Sequence, residues 1–218
     1  MAWILALAFL GIAGPACAAS CEPTLFPQGL DDLGFARVTA ARLQVFRDPE
    51  ACSRPTGLCP SKAYLVAGDR VVTAQTADGK TCVAFIGPNR ATIGWVDARA
   101  LAAAPASAPS GDWTGTWRRS LGDAEAKIER RGGRLQASLF ASAPGSRSGG
   151  VRTGGADGEL SVRGDRGQLG RQDDPACKVA MRRLGRFLIV NDEASDDANS
   201  PCGGMGVTLN GIYLHNAR

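Results

Sequence analysis

The sequence predicts an all-β protein of two domains: a small barrel joined by a Pro/Ala-rich linker to a second antiparallel barrel or sandwich of seven to eight strands. Three observations predict it. Short apolar stretches recur between turn dipeptides along most of the chain. The 28 Gly and 12 Pro among 218 residues favour turns over long helices. The stretch Ala98 to Gly111, ARALAAAPASAPSG, has little that could pack in register, and Pro105 and Pro109 oppose a continuous helix through its second part. The boundaries that follow are 1–19 for a signal peptide, 20–101 for the first domain, 102–111 for the linker and 112–218 for the second domain.

Residues 1–19 have the layout of a secretory signal. Trp3 to Ile12 is an apolar run without charge, and Gly14, Pro15 and the small residues Ala16-Cys17-Ala18-Ala19 follow it, although no Lys or Arg precedes the run. The run is too short to cross about 30 Å of hydrocarbon, and no later stretch is continuously apolar for the roughly 20 residues of a membrane helix. No transmembrane segment is therefore expected. Gly14-Pro15-Ala16-Cys17 and Ala18-Ala19-Ser20-Cys21 both lack the Leu preferred three residues before a lipidated Cys, so a lipid anchor is not expected either. The location read from this is periplasmic or secreted.

Cysteine counting supports export independently. Of seven Cys, Cys17 leaves with the signal, and the remaining even set reads as disulfides in an exported chain. The linker puts Cys21, Cys52, Cys59 and Cys82 in the first domain, which leaves three connectivities open there. It puts Cys177 with Cys202 in the second, which leaves one. Within the first domain Cys52 with Cys59 is favoured, because Pro55 and Gly57 allow a tight return; Cys21 then falls to Cys82. No Cys pair has the spacing of a zinc knuckle and the chain has one His, so neither metal nor cofactor is expected.

In the first domain the apolar stretches are Leu43 to Phe46, Ala63 to Val66, Val71 to Ala74, Cys82 to Ile86 and Gly94 to Val96. Ala67-Gly68-Asp69, Asp78-Gly79 and Gly87-Pro88-Asn89 punctuate them, and Asp78-Gly79 is a strong hairpin dipeptide. In detail, Gly68-Asp69 before a Val-rich strand, the strand Cys82 to Ile86, and Gly94-Trp95-Val96 shortly before Leu101 resemble the bacterial Src-homology-3-like domains of cell-envelope proteins over about residues 37–101. The insert Cys52 to Cys59 departs from the simplest pattern. That resemblance implies a small five-stranded barrel and a binding role, toward cell wall or protein. Trp95 is the candidate ligand residue, with Tyr64 and Phe46 completing an aromatic face beside it; the competing reading packs Trp95 into the core.

The second domain alternates strand-like segments with Gly-rich or charged turns. The segments are Trp113 to Arg118, Ala124 to Arg130, Arg134 to Ser142, Glu159 to Arg163, Cys177 to Arg183, Phe187 to Asn191 and Gly206 to His215. Arg131-Gly132-Gly133, Leu184-Gly185-Arg186 and Asn210-Gly211 read as hairpin turns. Alternation at Leu135, Ala137 and Leu139, and at Cys177, Val179 and Met181, marks inward faces. Closure into a barrel would remove the exposed edges. The Gly-x-Trp opening also resembles the first strand of lipocalin-type and avidin-type barrels. The segment Cys202-Gly203-Gly204 to Gly211-Ile212-Tyr213 is similar to a Cys-Gly-Gly, Gly-x-Tyr signature of exported proteobacterial domains without an assigned activity. Here Leu209 stands where Phe is usual. This likeness implies a disulfide and a fold, and no catalytic residue. Few contacts are expected to cross the linker, so a fragment beginning near Ser110 should fold alone.

Catalytic machinery is sparse. A Ser, His and Asp set would have to use His215, read here as a strand-end residue, and no Gly-x-Ser-x-Gly elbow is present. Asp192, Glu193, Asp196 and Asp197 fall in a hydrophilic loop where solvation is the default, and Glu125 and Glu129 alternate with Ile128 on an exposed face. The net charge of +4 is mild, and no half concentrates a basic field of the kind that binds nucleic acid. Arginines at 118, 119, 130, 131, 134, 182, 183 and 186 read as a solvated exterior or, more sharply, as a patch for an acidic partner. The expected function is non-catalytic binding of peptidoglycan or an envelope protein. The alternative is inhibition of a lytic enzyme such as a lysozyme, with the loop Asp192 to Pro201 as a plug. A wall hydrolase is the least favoured reading.

Overall fold

The computed structural model describes residues 20, 21, 26, 29–54, 56–87, 91–105, 112–145, 149–170, 177–192, 202 and 206–215. The segment 1–19 expected as a signal, linker residues 106–111 and residues 193–201 of the expected plug lie outside them. Among the described residues no helix is long and apolar enough to cross a membrane.

The chain is all-β. Its first half contributes β1 (Gly34–Val38), β2 (Leu43–Arg47), β3 (Cys59–Leu65), β4 (Arg70–Ala77), β5 (Lys80–Ile86), β6 (Ala91–Asp97) and β7 (Leu101–Ala104). They form one antiparallel sheet of seven strands in the order β3-β2-β6-β5-β4-β1-β7. The five segments anticipated from the sequence become β2 to β6; β1 and β7 are additional. Ala102, Ala103 and Ala104 are thus not linker: they pair with Arg37, Ala36 and Phe35. The β4–β5 hairpin turns on Asp78 and Gly79, both at positive φ, the geometry that matches the twist of the flanking strands.

Strand β5 explains why its sequence reads as an unbroken apolar run. Cys82, Ala84 and Ile86 face one buried cluster with Val72, Ala74 and Trp95. Val83 faces the other, with Val38, Leu43, Val45, Leu65 and Val96. A sheet covered on both sides needs apolar residues at successive positions.

The second half contributes β8 (Gly115–Arg119), β9 (Asp123–Arg131), β10 (Arg134–Pro144), β11 (Val151–Arg163), β12 (Arg166–Gly170), β13 (Lys178–Leu184), β14 (Phe187–Asn191) and β15 (Gly211–His215). Each pairs antiparallel with its neighbour in sequence, and β15 pairs with β8, so the eight strands close into a barrel. Closure leaves no unpaired edge. Trp117, Tyr213, Leu169, Met181 and Leu188 fill the interior, each almost wholly buried. Their polar atoms are satisfied: the Trp117 indole N–H donates to the Trp113 carbonyl at 3.1 Å, and the Tyr213 hydroxyl to the Leu209 carbonyl at 2.7 Å. Burial pushes the Tyr213 phenol well above the usual tyrosine range. The segment Gly206 to Asn210, expected as strand, instead runs irregularly into β15.

Disulfides join Cys21 to Cys82, Cys52 to Cys59 and Cys177 to Cys202. The pairing argued from the domain split and the short Pro/Gly return is thus the pairing found. Three disulfides fit a chain folded in an oxidising compartment.

The halves pack against each other. Leu184, Ile189 and Ile212 on the outside of the barrel are buried in one cluster with Leu30, Leu33, Val72 and Ile86. The rings of Phe35 and Phe187 lie 5.9 Å apart across this junction. Arg182 clamps it, donating to the carbonyls of Leu30 (3.0 Å) and Leu33 (2.8 Å) while its Nε holds Asp165 at 2.9 Å. The expectation that few contacts cross the linker is therefore not met, because β14 and β15 are apolar on both faces. A fragment beginning at Ser110 is expected to retain β-sheet but to expose Phe187, Ile189 and Ile212. Sedimentation velocity should find it self-associating where the full chain is not, and a monodisperse fragment would show that the barrel does not need this cover.

Candidate functional site

The Gly94-Trp95 pair is explained by close packing of β2 on β6. A Cβ at Gly94 would sit 2.5 Å from the Phe46 carbonyl oxygen and 2.6 Å from Val45, so only glycine lets the two strands approach. Trp95 then projects to the other face, opposite Cys82 and Phe46 in the ladder, and is 2% exposed. Its indole N–H donates to Asp48 Oδ1 at 2.6 Å. Asp48, buried itself, also accepts from the Cys21 amide at 2.8 Å and from the Ser20 hydroxyl at 3.3 Å. Trp95 thus anchors the N-terminal segment beside the Cys21–Cys82 disulfide.

Of the three expected groove residues, the structure brings Phe46 and Trp95 together and leaves Tyr64 apart. Phe46 is half-buried with the Lys80 ammonium 5.3 Å from its ring. Tyr64 is exposed under the Arg42 guanidinium, 4.0 Å away, opposite Gln44 rather than Phe46. A cavity of about 670 Å³ does touch Trp95, but its polar wall is Asp48, Glu50, Asp78 and Lys80. With so little of the indole exposed, the reading of Trp95 as an open aromatic platform gives way to the packing reading. Asp48 was not singled out from the sequence: Asp48-Pro49 looks like any turn, and nothing local announces a partner 47 residues on.

A second cavity, about 780 Å³, opens at the junction of the halves. Phe35, Ile86 and Phe187 supply its apolar surface, and Arg70, Arg183 and Arg186 its charge. Arg183 is buried, donating to the Asp112 carbonyl at 2.6 Å with its guanidinium 5.6 Å from the Trp117 ring centroid. Arg70 and Arg186 are exposed, Arg186 lying 5.1 Å from the Phe187 ring. Among the described residues the one carboxylate in the lining is Asp112, held below the usual range first by hydrogen bonds from Thr114 and then by nearby Arg130. His215 stands at the rim, edge-on to Trp117 with ring centroids 4.8 Å apart. It sits where a Cβ on Gly115 would come within 2.3 Å of its Nε2, and Gly115 has φ of +129°. The Gly of the opening Gly-x-Trp is thus the seat of His215. The strand-end reading of His215 is where the structure places it.

The other arginines are spent elsewhere. Arg118 pairs with Glu125, Arg131 with Glu129 and Arg134 with Glu159 on the barrel exterior, and Arg130 with the cleft's own Asp112, all four pairs solvent-facing. Such pairs contribute little stability.

A third cavity, about 860 Å³, lies toward the opposite end of β8 and β15, between the barrel rim and Phe26 and Ile93 of the first half. Beside it, the Asp192 amide donates to Oδ1 of the lining residue Asn210 at 2.7 Å. Expected to be solvated, Asp192 is wholly buried and accepts from Thr208 Oγ1 and the Leu209 amide, each at 3.0 Å. Glu193, Asp196 and Asp197, and the plug residues up to Pro201, lie outside the described residues. Among the described residues no cluster of three or more His, Cys, Asp or Glu could hold a metal.

No protein-family model, curated protein or solved structure matches the chain.

Proposed function

We propose that the chain is an exported, non-catalytic binding protein of the cell envelope, and that it recognises an acidic group at the arginine-lined junction cleft. The observation that carries this reading is three guanidiniums, Arg70, Arg183 and Arg186, lining one cavity with Phe35 and Phe187 and, among the described residues, a single carboxylate. Guanidinium forks match carboxylates in geometry, and aromatic walls lower the local dielectric, so an acidic ligand is favoured there. Peptidoglycan, whose peptides carry carboxylates, is the proposed partner; an acidic segment of an envelope protein is the other. The resemblance of residues 37–101 to envelope Src-homology-3-like modules supports the same role, and the signal-like 1–19 segment supports a periplasmic setting.

The test reverses charge at the two exposed cations. Arg70→Glu together with Arg186→Glu should leave the thermal midpoint within a few degrees, since exposed substitutions cost about 0.5 kcal/mol or less. Capture on purified cell wall should fall on the order of tenfold or more. Unchanged capture would remove the cleft from consideration, and release of soluble wall fragments by the wild-type chain would overturn non-catalytic binding.

The inhibitor reading has one specific support. The loop expected as a plug leaves the barrel from a fully buried, hydrogen-bonded Asp192 and re-enters at the disulfide-bonded Cys202, so both ends are held. A muramidase assay on the same preparations separates the two readings.

A further inference from the structure

The third cavity combines an apolar wall with hydrogen-bond donors that the fold leaves unused. Leu121, Ala143, Val151, Val207 and Ile212 line it from the barrel and Phe26 from the first half. Its volume of about 860 Å³ lies within the range of small-molecule sites, roughly 300–1,000 Å³.

Two polar side chains in the lining are incompletely satisfied. Asn210 is 3% exposed. Its Oδ1 accepts the Asp192 amide at 2.7 Å, which fixes the orientation of the carboxamide, and its buried Nδ2 has no partner. A buried amide donor left unmade is destabilising, so it favours a ligand that brings an acceptor. Arg119 is the second. Its Nη1 donates to the carbonyls of Thr208 (2.7 Å) and Asn210 (3.2 Å), while its Nε is buried without a partner.

The local sequence is built around that arginine. A Cβ on Gly211, at φ +146°, would come within 2.7 Å of Arg119 Cδ, and one on Gly122, at φ +74°, within 2.9 Å of Nη2. Both glycines make room for the guanidinium. No carboxylate among the described residues forms an ion pair with it. The one acid in the lining, Asp123, accepts from the Ser142 hydroxyl at 2.8 Å instead. A partly buried cation that, among the described residues, donates only to backbone carbonyls favours an anion.

We propose that this cavity is a second binding site, distinct from the junction cleft, for an apolar chain ending in a carboxylate, with the head group accepting from Asn210 Nδ2 and Arg119. The apolar wall selects the chain, since each methylene taken from water adds to the affinity. The uncompensated guanidinium selects a charged head over a neutral ester.

Calorimetric titration of the full chain with dodecanoate, and separately with its methyl ester, tests this. The expected result is saturable one-to-one binding of dodecanoate, with the methyl ester weaker by about tenfold or more, as a lost charge-assisted hydrogen bond implies. Asn210→Asp keeps the Oδ1 acceptor for Asp192 and replaces the free donor by an oxygen; it should weaken dodecanoate by a similar factor or more. Gly150→Trp is the control for folding: Gly150 lines the cavity, and an added Cβ there meets nothing within 4 Å. It should obstruct both ligands while preserving the melting curve. Absence of saturable binding, or dodecanoate affinity unchanged in both variants, overturns the site. Equal affinity for acid and ester overturns the carboxylate head group. Neither result bears on capture at the junction cleft.

Discussion

Trp95→Ala is expected to destabilise the protein by about 3–5 kcal/mol rather than to leave a folded chain that has lost its partner. The indole is 2% exposed and covers Cys82 in the sheet, so its removal opens a cavity where the side chain cannot be replaced by solvent at low cost. It also strips Asp48 Oδ1 of its donor, leaving a buried carboxylate oxygen less satisfied than before. Urea denaturation followed by far-ultraviolet dichroism reads the change directly. A variant as stable as the wild type that no longer captured cell wall would return Trp95 to the role of ligand platform.

The second large effect is expected on replacing Cys21 and Cys82 together by alanine. That disulfide closes 61 residues, against 25 for Cys177–Cys202 and 7 for Cys52–Cys59. Chain entropy assigns it about 4 kcal/mol, the largest of the three. It also ties down the segment that carries Phe26, Leu30 and Leu33 onto the face of the sheet that meets the barrel. Thermal melts of the three double-alanine variants should rank Cys21/Cys82 below the other two. A ranking with Cys177/Cys202 lowest would mean that Asp48 and Arg182 hold the segment without the covalent link.

How much of this was legible depended on how many faces of a strand are buried and on what size of side chain fits. Strand β10 shows its inward Leu135, Ala137 and Leu139 between outward polar residues, and the alternation reads at once. Strand β12, Arg166 to Gly170, was missed because Gly167 occupies an inward position. A Cβ there would stand 3.0 Å from the Trp113 ring and 3.1 Å from Leu160, so the bulky indole forces a glycine that the sequence shows only as a breaker. The first half of β11 hides for the same reason: a Cβ on Gly155 would come 2.6 Å from the Leu139 carbonyl oxygen. Strand β7 hid differently, since three alanines pairing with β1 look identical to three alanines in a tether.

The candidate site was legible only in part. Arg183 and Arg186 stood out as members of a basic group, but a sequence does not distinguish the two that reach the junction cleft from the three that pair with acids on the barrel exterior. Asn210-Gly211 resembled a hairpin turn. The structure instead buries the asparagine and uses the glycine to accommodate Arg119, because a residue 91 positions earlier fills the space a turn would have faced. Aromatic residues attract attention as ligand platforms, and here the most conspicuous one, Trp95, is structural.

The pairing of β15 with β8 also sets an order in time. Every ladder of the first sheet can form once Ala104 is available, whereas the barrel cannot close until β15 is there to place Tyr213 opposite Arg119. Closing so long a loop is a slow step. Until it happens, Ile212 is absent from the face of the sheet that it covers in the native state. A chain emerging from its N-terminus would therefore pass through an interval with a finished sheet and an uncovered apolar face.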